Sequence, residues 1–352
     1  MIVEASFIAI LRNALFYNDA IAGLLGFLIN LFLLYLIIRI KDTEFSCYRR
    51  ILIHSIIYDM LLSPTNTLAT LSMEATDSAL VLWTGGASKY FPKNVALSFV
   101  SLHMWAFNVS YCNNGIVFFY RYYVIIKSTP LPTRYYLILL SINIFANGLG
   151  ALVLYISCLN VNESLVIAAR QYLPNQFFVD IHGKETTFFI LHPYEVTGGI
   201  FLFSISLTTT TTIFLVTLYY VMITRFLASQ NFKMSEYTKN LQKQLNVTMI
   251  AHVFVPIIVF FLPFIIISIL SVLNLPTKGI TTCFFFAFEW LPLINALITL
   301  TCLKKCRYEI IKLLGCCKKT RYKKGIMIRH SISPFTPINL KMKNMEHLRS
   351  SN

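Results

Sequence analysis

Charge is scarce in this sequence, and Lys and Arg are missing from seven long apolar stretches. Charged residues make up 13% and apolar ones 56% of the 352 residues, against roughly 25% and 45–50% in an ordinary soluble domain. The stretches are 20–38, 51–73, 94–120, 135–158, 197–224, 244–273 and 279–303. Five carry no charge at all; the second carries only Asp59 and the seventh only Glu289. A helix needs about 20 apolar residues to cross the hydrocarbon of a bilayer, and without water its amides must bond within the segment. The sequence therefore predicts an all-α membrane protein, a bundle of seven transmembrane helices, and excludes a soluble domain. Residues 1–19 are expected as an extracellular N-terminus, 20–303 as the transmembrane domain and 304–352 as a basic cytoplasmic tail.

Other absences narrow the class. The first residues lack a basic n-region, and Glu4 and Arg12 interrupt the early apolar stretch, so no cleaved signal peptide is expected. There is no repeat of helical hairpins, which counts against a transporter built of inverted halves. The eight cysteines form no extracellular framework; only Cys158 and Cys283 fall near the outer face, as a bridge or as two separate thiols. No metal-ligand or nucleophile–base spacing is present, and no cofactor, metal or enzymatic activity is expected.

The net charge of +15 is a topology signal rather than a nucleic-acid footprint. The N-terminal segment and the second, fourth and sixth loops hold six of the Lys and Arg: Arg12, Lys89, Lys93, Arg170, Lys184 and Lys278. The other loops and the tail hold 24. Basic residues concentrate on the cytoplasmic side, which sets the amino end outside and the tail inside, in a multi-pass protein of the plasma membrane. The sequon at Asn162 then lies in the outer loop 159–195, where glycosylation is allowed; this loop is long and polar enough to fold as a lid. Lys304–Leu314 alternates basic and apolar residues as a short amphipathic helix on the inner leaflet would. Cys316 and Cys317, flanked by lysines, read either as palmitoylation sites or as ordinary thiols.

Depth can be counted from the inner basic residues. Asn30 lies nine residues before Arg39, Asp59 nine after Arg50 and Asn295 nine before Lys304. At 1.5 Å per residue all three sit roughly 13 Å from one face. Ser110 and Asn113 bracket the same level on the third span. This layer reads as a hydrogen-bonded cluster around one carboxyl that suits a switch; plain helix–helix bonding is the alternative. Arg121, at the inner mouth of the third span, either snorkels as an anchor or holds neighbouring helix ends in one of two arrangements. Pro256 and Pro263 in the sixth span and Pro292 in the seventh are expected kinks. His252 reads as a satisfied packing residue. The outer halves carry His103, Phe107, Asn108, Phe285 and Glu289. A cavity with few polar groups and many aromatics suits a small, mostly apolar ligand. An intramembrane carboxyl such as Glu289 is expected to face a cavity or a partner.

These residues carry a resemblance. Gly23-Leu24-Leu25-Gly26 with Asn30, Tyr58-Asp59, Phe119-Tyr120-Arg121-Tyr122-Tyr123 and the sixth-span entry Met234–Leu245 resemble the nematode serpentine chemoreceptors, nearest to serpentine receptor class d in the odorant-receptor-like superfamily. More distantly, Asn30, Asp59, Arg121, Pro292 and Asn295 are similar to core positions of rhodopsin-like receptors. The resemblance implies a G-protein-coupled receptor of a sensory-neuron cilium that binds an odorant or pheromone. It implies that Arg121 and the loop with Arg225, Lys239 and Lys243 face a heterotrimeric G protein. The chain departs from the rhodopsin pattern in having Tyr120 rather than an acid before Arg121, and Pro292-Leu293-Ile294-Asn295 in the seventh span. The rival reading is a small-solute transporter or channel, which needs a continuous polar path; one polar layer does not make one.

Overall fold

In the computed structural model of the chain, residues 2–314 are described, apart from 77–78, 128, 160, 180–184, 230–235, 264–265 and 267–278. Cys316, Cys317, Lys184, Lys278 and the rest of the tail lie outside them. The elements run α1 (Ile2–Arg39), α2 (Thr43–Ala69), β1 (Leu71–Ala75), β2 (Leu80–Thr84), α3 (Lys93–Lys127), α4 (Thr133–Leu159), α5 (Glu163–Tyr172), β3 (Phe188–Leu191), α6 (Val196–Ser229), α7 (Glu236–Pro256), α8 (Ile280–Phe288), α9 (Leu291–Cys302) and α10 (Lys304–Leu313).

The bundle is formed by α1 to α4, α6, α7 and the pair α8–α9. Five helical stretches among the described residues are long and apolar enough to cross a membrane: Ile10–Arg39, Lys93–Lys127, Thr133–Leu159, Val196–Ser229 and Ile280–Cys302. Helix α2 is not one of them by composition. Arg49, Arg50, His54, Asp59 and a Ser/Thr-rich end dilute its apolar face, yet it packs between α1 and α3. Lipid-facing helices bury little of themselves: only 17% of the apolar window of α4, and of α6, is covered.

Prolines shape three helices. Pro256 closes α7, and Ile257–Phe261 continues as a wider π-turn. Pro removes the N–H that would close the turn and its ring clashes with the preceding carbonyl. Pro263 is buried in the short helical continuation. The seventh span breaks at Glu289–Trp290, and α9 restarts with Pro292 in its first turn, where a missing N–H costs nothing. Pro64 lies inside α2 as well.

One end of the bundle is closed by a three-stranded antiparallel sheet in the order β1-β2-β3. Helix α2 stops at Ala69, short of the span expected to reach residue 73, and Thr70 turns the chain with φ 39. Strand alternation then sorts the apolar residues. Met73, Leu82 and Phe189, paired across the sheet, face the bundle core with Leu71 and Leu191. Val81, Trp83, Phe188 and Ile190 face the other way, onto α5, Phe177 and Phe178. The long loop 159–195 thus folds over this end. Helix α1 also reaches further than the span 20–38; Arg12 donates to the Phe177 carbonyl at 2.7 Å and lies over the Trp83 ring, on the sheet face turned away from the bundle. The register of the cap is fixed where β3 returns to α6: a Cβ on Gly198 would lie 2.0 Å from the His192 carbonyl oxygen. At the opposite end α10 turns off from α9 as a short amphipathic helix. We call the two ends the sheet end and the α10 end.

Candidate functional site

The predicted polar layer comes together in the middle of the bundle. Asn295 on α9 donates from Nδ2 to Asp59 Oδ1 on α2 at 3.2 Å, and Ser110 of α3 faces the same carboxyl. Asn30 on α1 donates to the carbonyls of Gly26 and Pro292, both at 2.9 Å. It thereby ties α1 to the carbonyl at the restart of α9. Asn113 on α3 donates to Ser55 of α2 at 3.3 Å, a turn nearer the α10 end. The close approach of α1 and α2 that this needs is set by Gly23, where a Cβ would fall 2.1 Å from Thr67 Oγ1.

His252 joins the layer to α7. Its Nε2 lies 3.0 Å from the Asn295 carbonyl and 3.1 Å from Thr299 Oγ1, so it is a satisfied packing group. Below it, Ser55, Asn114, Thr248, Met249 and His252 line a cavity of about 20 Å³, room for a single water.

Arg121 sits at the foot of this column with no exposed surface. Its guanidinium donates to Asn246 Oδ1 (2.8 Å), to the Gln242 carbonyl (3.0 Å) and to Gln242 Oε1 (3.1 Å), with Met249 Sδ at 3.4 Å. All four partners belong to α7. Gln242 in turn donates to the Tyr48 hydroxyl at 2.7 Å. A fork of planar donors finds planar amide acceptors here, so the charge is met without an acid. Tyr120, in the place of that acid, donates instead to the Cys47 carbonyl at 3.0 Å.

A second clasp lies at the α10 end. Asp42, the N-cap of α2, accepts from Tyr237 of α7 at 2.7 Å and pairs with Lys305 of α10 at 2.8 Å. Burial would raise the Asp42 carboxyl, but hydrogen bonds from Lys305, Tyr237 and the Phe45 N–H outweigh it and hold the group at about 2. Lys305 is raised, chiefly by Asp42. A depressed carboxyl contributes above its unfolded value and loses that contribution only as pH falls through its folded one. The clasp is therefore expected to contribute its full, constant amount to thermal stability between pH 5 and 8. As a solvent-side pair it is worth less than about 1 kcal/mol. Melting curves of Asp42→Asn at pH 5 and 8 check this; a shift that differs between the two pH values contradicts it.

Towards the sheet end an aromatic group fills the core. Phe107 meets Phe288 edge-on at 4.7 Å; His103 and Phe285 approach Phe288 at 6.0 and 6.1 Å. His103, Phe107, Phe285 and Glu289 are buried and Asn108 half-buried. Neither ring nitrogen of His103 finds a hydrogen bond among the described residues. The Thr208–Thr212 run bonds back within α6, Thr208 to Ser204 O at 2.9 Å and Thr212 to Thr208 O at 2.8 Å.

Of the remaining sequence candidates, Arg225 and Lys243 are exposed on α6 and α7, and Lys239 pairs with Glu236 at 3.0 Å. Asn162 is exposed as the N-cap of α5. Cys158 and Cys283 are free thiols, one buried and one exposed, and are not bridged. The sequence reading missed Asp19, Glu74, Asn66, Gln242 and Asn246. Glu74 is fully buried on β1. Its Oε2 accepts from Thr281 Oγ1 (3.0 Å), and its Oε1 from Thr282 Oγ1 (3.1 Å) and Thr282 N (3.3 Å), at the first turn of α8. An anion is favoured at that helix terminus, so Glu74 pins the sheet to the seventh span.

Comparison with known proteins agrees with this architecture. The family model described as serpentine type 7TM GPCR chemoreceptor Str matches residues 16–311. The crystal structure of squid rhodopsin superposes with a TM-score of 0.60 at 14% identity, covering 89% of this chain and 88% of that chain. At that identity the likeness is one of fold, the seven-helix receptor bundle. Among curated proteins there is no match.

Proposed function

The chain belongs to the serpentine Str family of seven-transmembrane, G-protein-coupled chemoreceptors, and from that premise we propose that it binds a small, mostly apolar odorant or pheromone near the sheet end and signals to a heterotrimeric G protein at the α10 end. On this reading the protein lies in the plasma membrane of a sensory cell with the sheet end outside. His103, Phe107, Asn108, Phe285 and Glu289 contribute to the ligand site. Arg121, Arg225, Lys239 and Lys243 contribute to the G-protein face.

The observation that carries the proposal is a contiguous column of contacts between the two ends. The aromatic group abuts Glu289 and the break in the seventh span. That break leads to Pro292, held by Asn30, and to Asn295, held by Asp59. Asn295 touches His252 on α7, and one turn further Met249 and Asn246 touch Arg121. A ligand that favours a different seating of α8 shifts the equilibrium of the whole column by its differential affinity for the two arrangements.

A screen of volatile and amphiphilic small molecules tests this, with a second-messenger readout in cells expressing the chain. At least one compound is expected to raise the signal dose-dependently over untransfected cells. His103→Ala and Phe107→Ala are expected to raise its half-maximal concentration about tenfold, the cost of about 1.4 kcal/mol of lost contact. A response that neither substitution moves places the ligand elsewhere.

A further inference from the structure

Two carboxyl groups at the sheet end have no exposed surface and no ion-pair partner among the described residues: Asp19 on α1 and Glu289 at the break between α8 and α9. Both are held against the same turn of α2, Glu289 by Asn66 and Asp19 by Thr67. Asn66, one turn from the end of α2, stands beside Glu289, and Thr70 lies just past that end, three residues on from the Thr67 that bonds Asp19. Hydrogen bonds fix the surrounding frame. Asn66 Nδ2 donates to the Glu289 carbonyl at 3.4 Å and Thr67 Oγ1 to the Asp19 carbonyl at 3.4 Å. Asn18 Nδ2 donates to Asp19 Oδ1 and to the Phe286 carbonyl, both at 3.2 Å, and Trp290 Nε1 donates to Asn18 Oδ1 at 2.9 Å. Three helices are thus locked around one point.

What remains at that point is oxygen. Asp19 Oδ2, both carboxyl oxygens of Glu289, Asn66 Oδ1 and Thr70 Oγ1 are shielded from solvent and take no oriented hydrogen bond among the described residues. Asn66 is itself 1% exposed, and its amide is turned so that the nitrogen is used and the oxygen is not. Buried polar groups are ordinarily satisfied, and buried charges are paired or coordinate a metal. Five unsatisfied oxygens, without a nitrogen or sulfur among them, make a donor set for a hard cation rather than for a transition metal. Thr70 holds its place in the set with φ 39, a conformation that a β-branched residue rarely adopts.

We infer that Asp19, Asn66, Thr70 and Glu289 form a binding site for a hard metal cation, calcium or sodium, which joins α1, α2 and the seventh span beneath the sheet. Calcium would neutralise both carboxylates; sodium would leave one charge. The site is separate from the Asp59 layer, shares Glu289 with the proposed ligand site, and does not depend on which small molecule the receptor recognises.

The test is thermal melting of the purified full chain in detergent. Wild type and Asp59→Asn, the latter lacking the buried carboxyl of the polar layer, are each compared in calcium chloride, sodium chloride and N-methylglucamine chloride at equal ionic strength. One of the two metals is expected to raise the midpoint by several degrees over N-methylglucamine in both proteins; which one identifies the ion. In Glu289→Gln and in Asp19→Asn the rise is expected to disappear. Without metal these isosteres are expected to melt at or above wild type, because each removes one of two buried carboxyls that lack a counter-ion. No rise with either metal in wild type overturns the inference, as does a rise that survives both substitutions. So does failure of both variants to fold, since the carboxyls would then be required for something other than a cation.

Discussion

Asp59→Asn is expected to lower ligand-evoked signalling about tenfold while leaving the amount of receptor at the cell surface unchanged. In the structure the Asp59 carboxyl accepts from Asn295 across the α2–α9 contact, with Ser110 opposite. As α9 moves, the Asp59 carboxyl can exchange its Asn295 contact for Ser110. The Asn295 oxygen is unpartnered among the described residues. A carboxamide at position 59 supplies the donor for it while its own oxygen takes the Asn295 N–H. The result is a reciprocal amide pair that fixes α2 to α9. One added hydrogen bond is worth about 1 kcal/mol, and the carboxamide removes a carboxyl oxygen that the shifted state would use as an acceptor. Together they approach the ~1.4 kcal/mol of a tenfold change. The side chain keeps its volume, so folding is spared. Surface labelling and second-messenger output on the same cells check this. Normal signalling at normal density would reduce Asp59 to a helix–helix contact, and reduced labelling would make it a folding residue.

How much of this was legible before any coordinates follows from which forces the sequence exposes. Charge-free length in a bilayer allows one backbone solution, so the seven-helix bundle could be read directly. The depth of Asn30, Asp59, Ser110, Asn113 and Asn295 could be counted because helix rise is constant and basic residues mark the interface. That counting placed Asp59 beside Asn295 correctly but gave no rotation, so the separate pairings of Asn113 with Ser55 and of Asn30 with the Pro292 carbonyl were beyond it. The sheet was hidden for a different reason. Leu71–Ala75 continues the apolar stretch of α2, and the third strand, Phe188–Leu191, which pairs with β2, lies more than a hundred residues further along the chain. Only the turn at Thr70 separates strand from helix, and a Thr does not advertise a positive φ. Asp19 fell in the expected outer segment 1–19 because it precedes the charge-free run 20–38. Its burial comes from α1 continuing upward under the sheet, a tertiary event without a local signal. The acceptors of Arg121 were missed because an arginine suggests an acid partner, whereas Gln242 and Asn246 are amides one turn apart on α7.

Those amides make the last prediction. Replacing Gln242 and Asn246 together by alanine is expected to raise ligand-independent signalling severalfold. In the described arrangement Arg121 is fully buried, and the two side-chain bonds it would lose are at 2.8 and 3.1 Å. Hydrogen bonds to a charged group contribute about 1.5–3 kcal/mol each, and a guanidinium cannot shed its proton. Removing the acceptors leaves a buried cation held only by the Gln242 carbonyl and Met249. That penalty exists only while α3 and α7 are together, so it acts on the closed arrangement and not on one in which Arg121 reaches water or a partner. The equilibrium must move towards separation of the helices. Arg121→Ala gives the converse: it empties the latch without stranding a charge, and it removes the group proposed to meet the G protein. Basal signalling is expected to stay low and stimulated signalling to fall at least tenfold. High basal output from the double variant with little from Arg121→Ala would assign Arg121 two roles, latch when buried and contact when freed. Equal output from both would leave it an anchor at the end of α3.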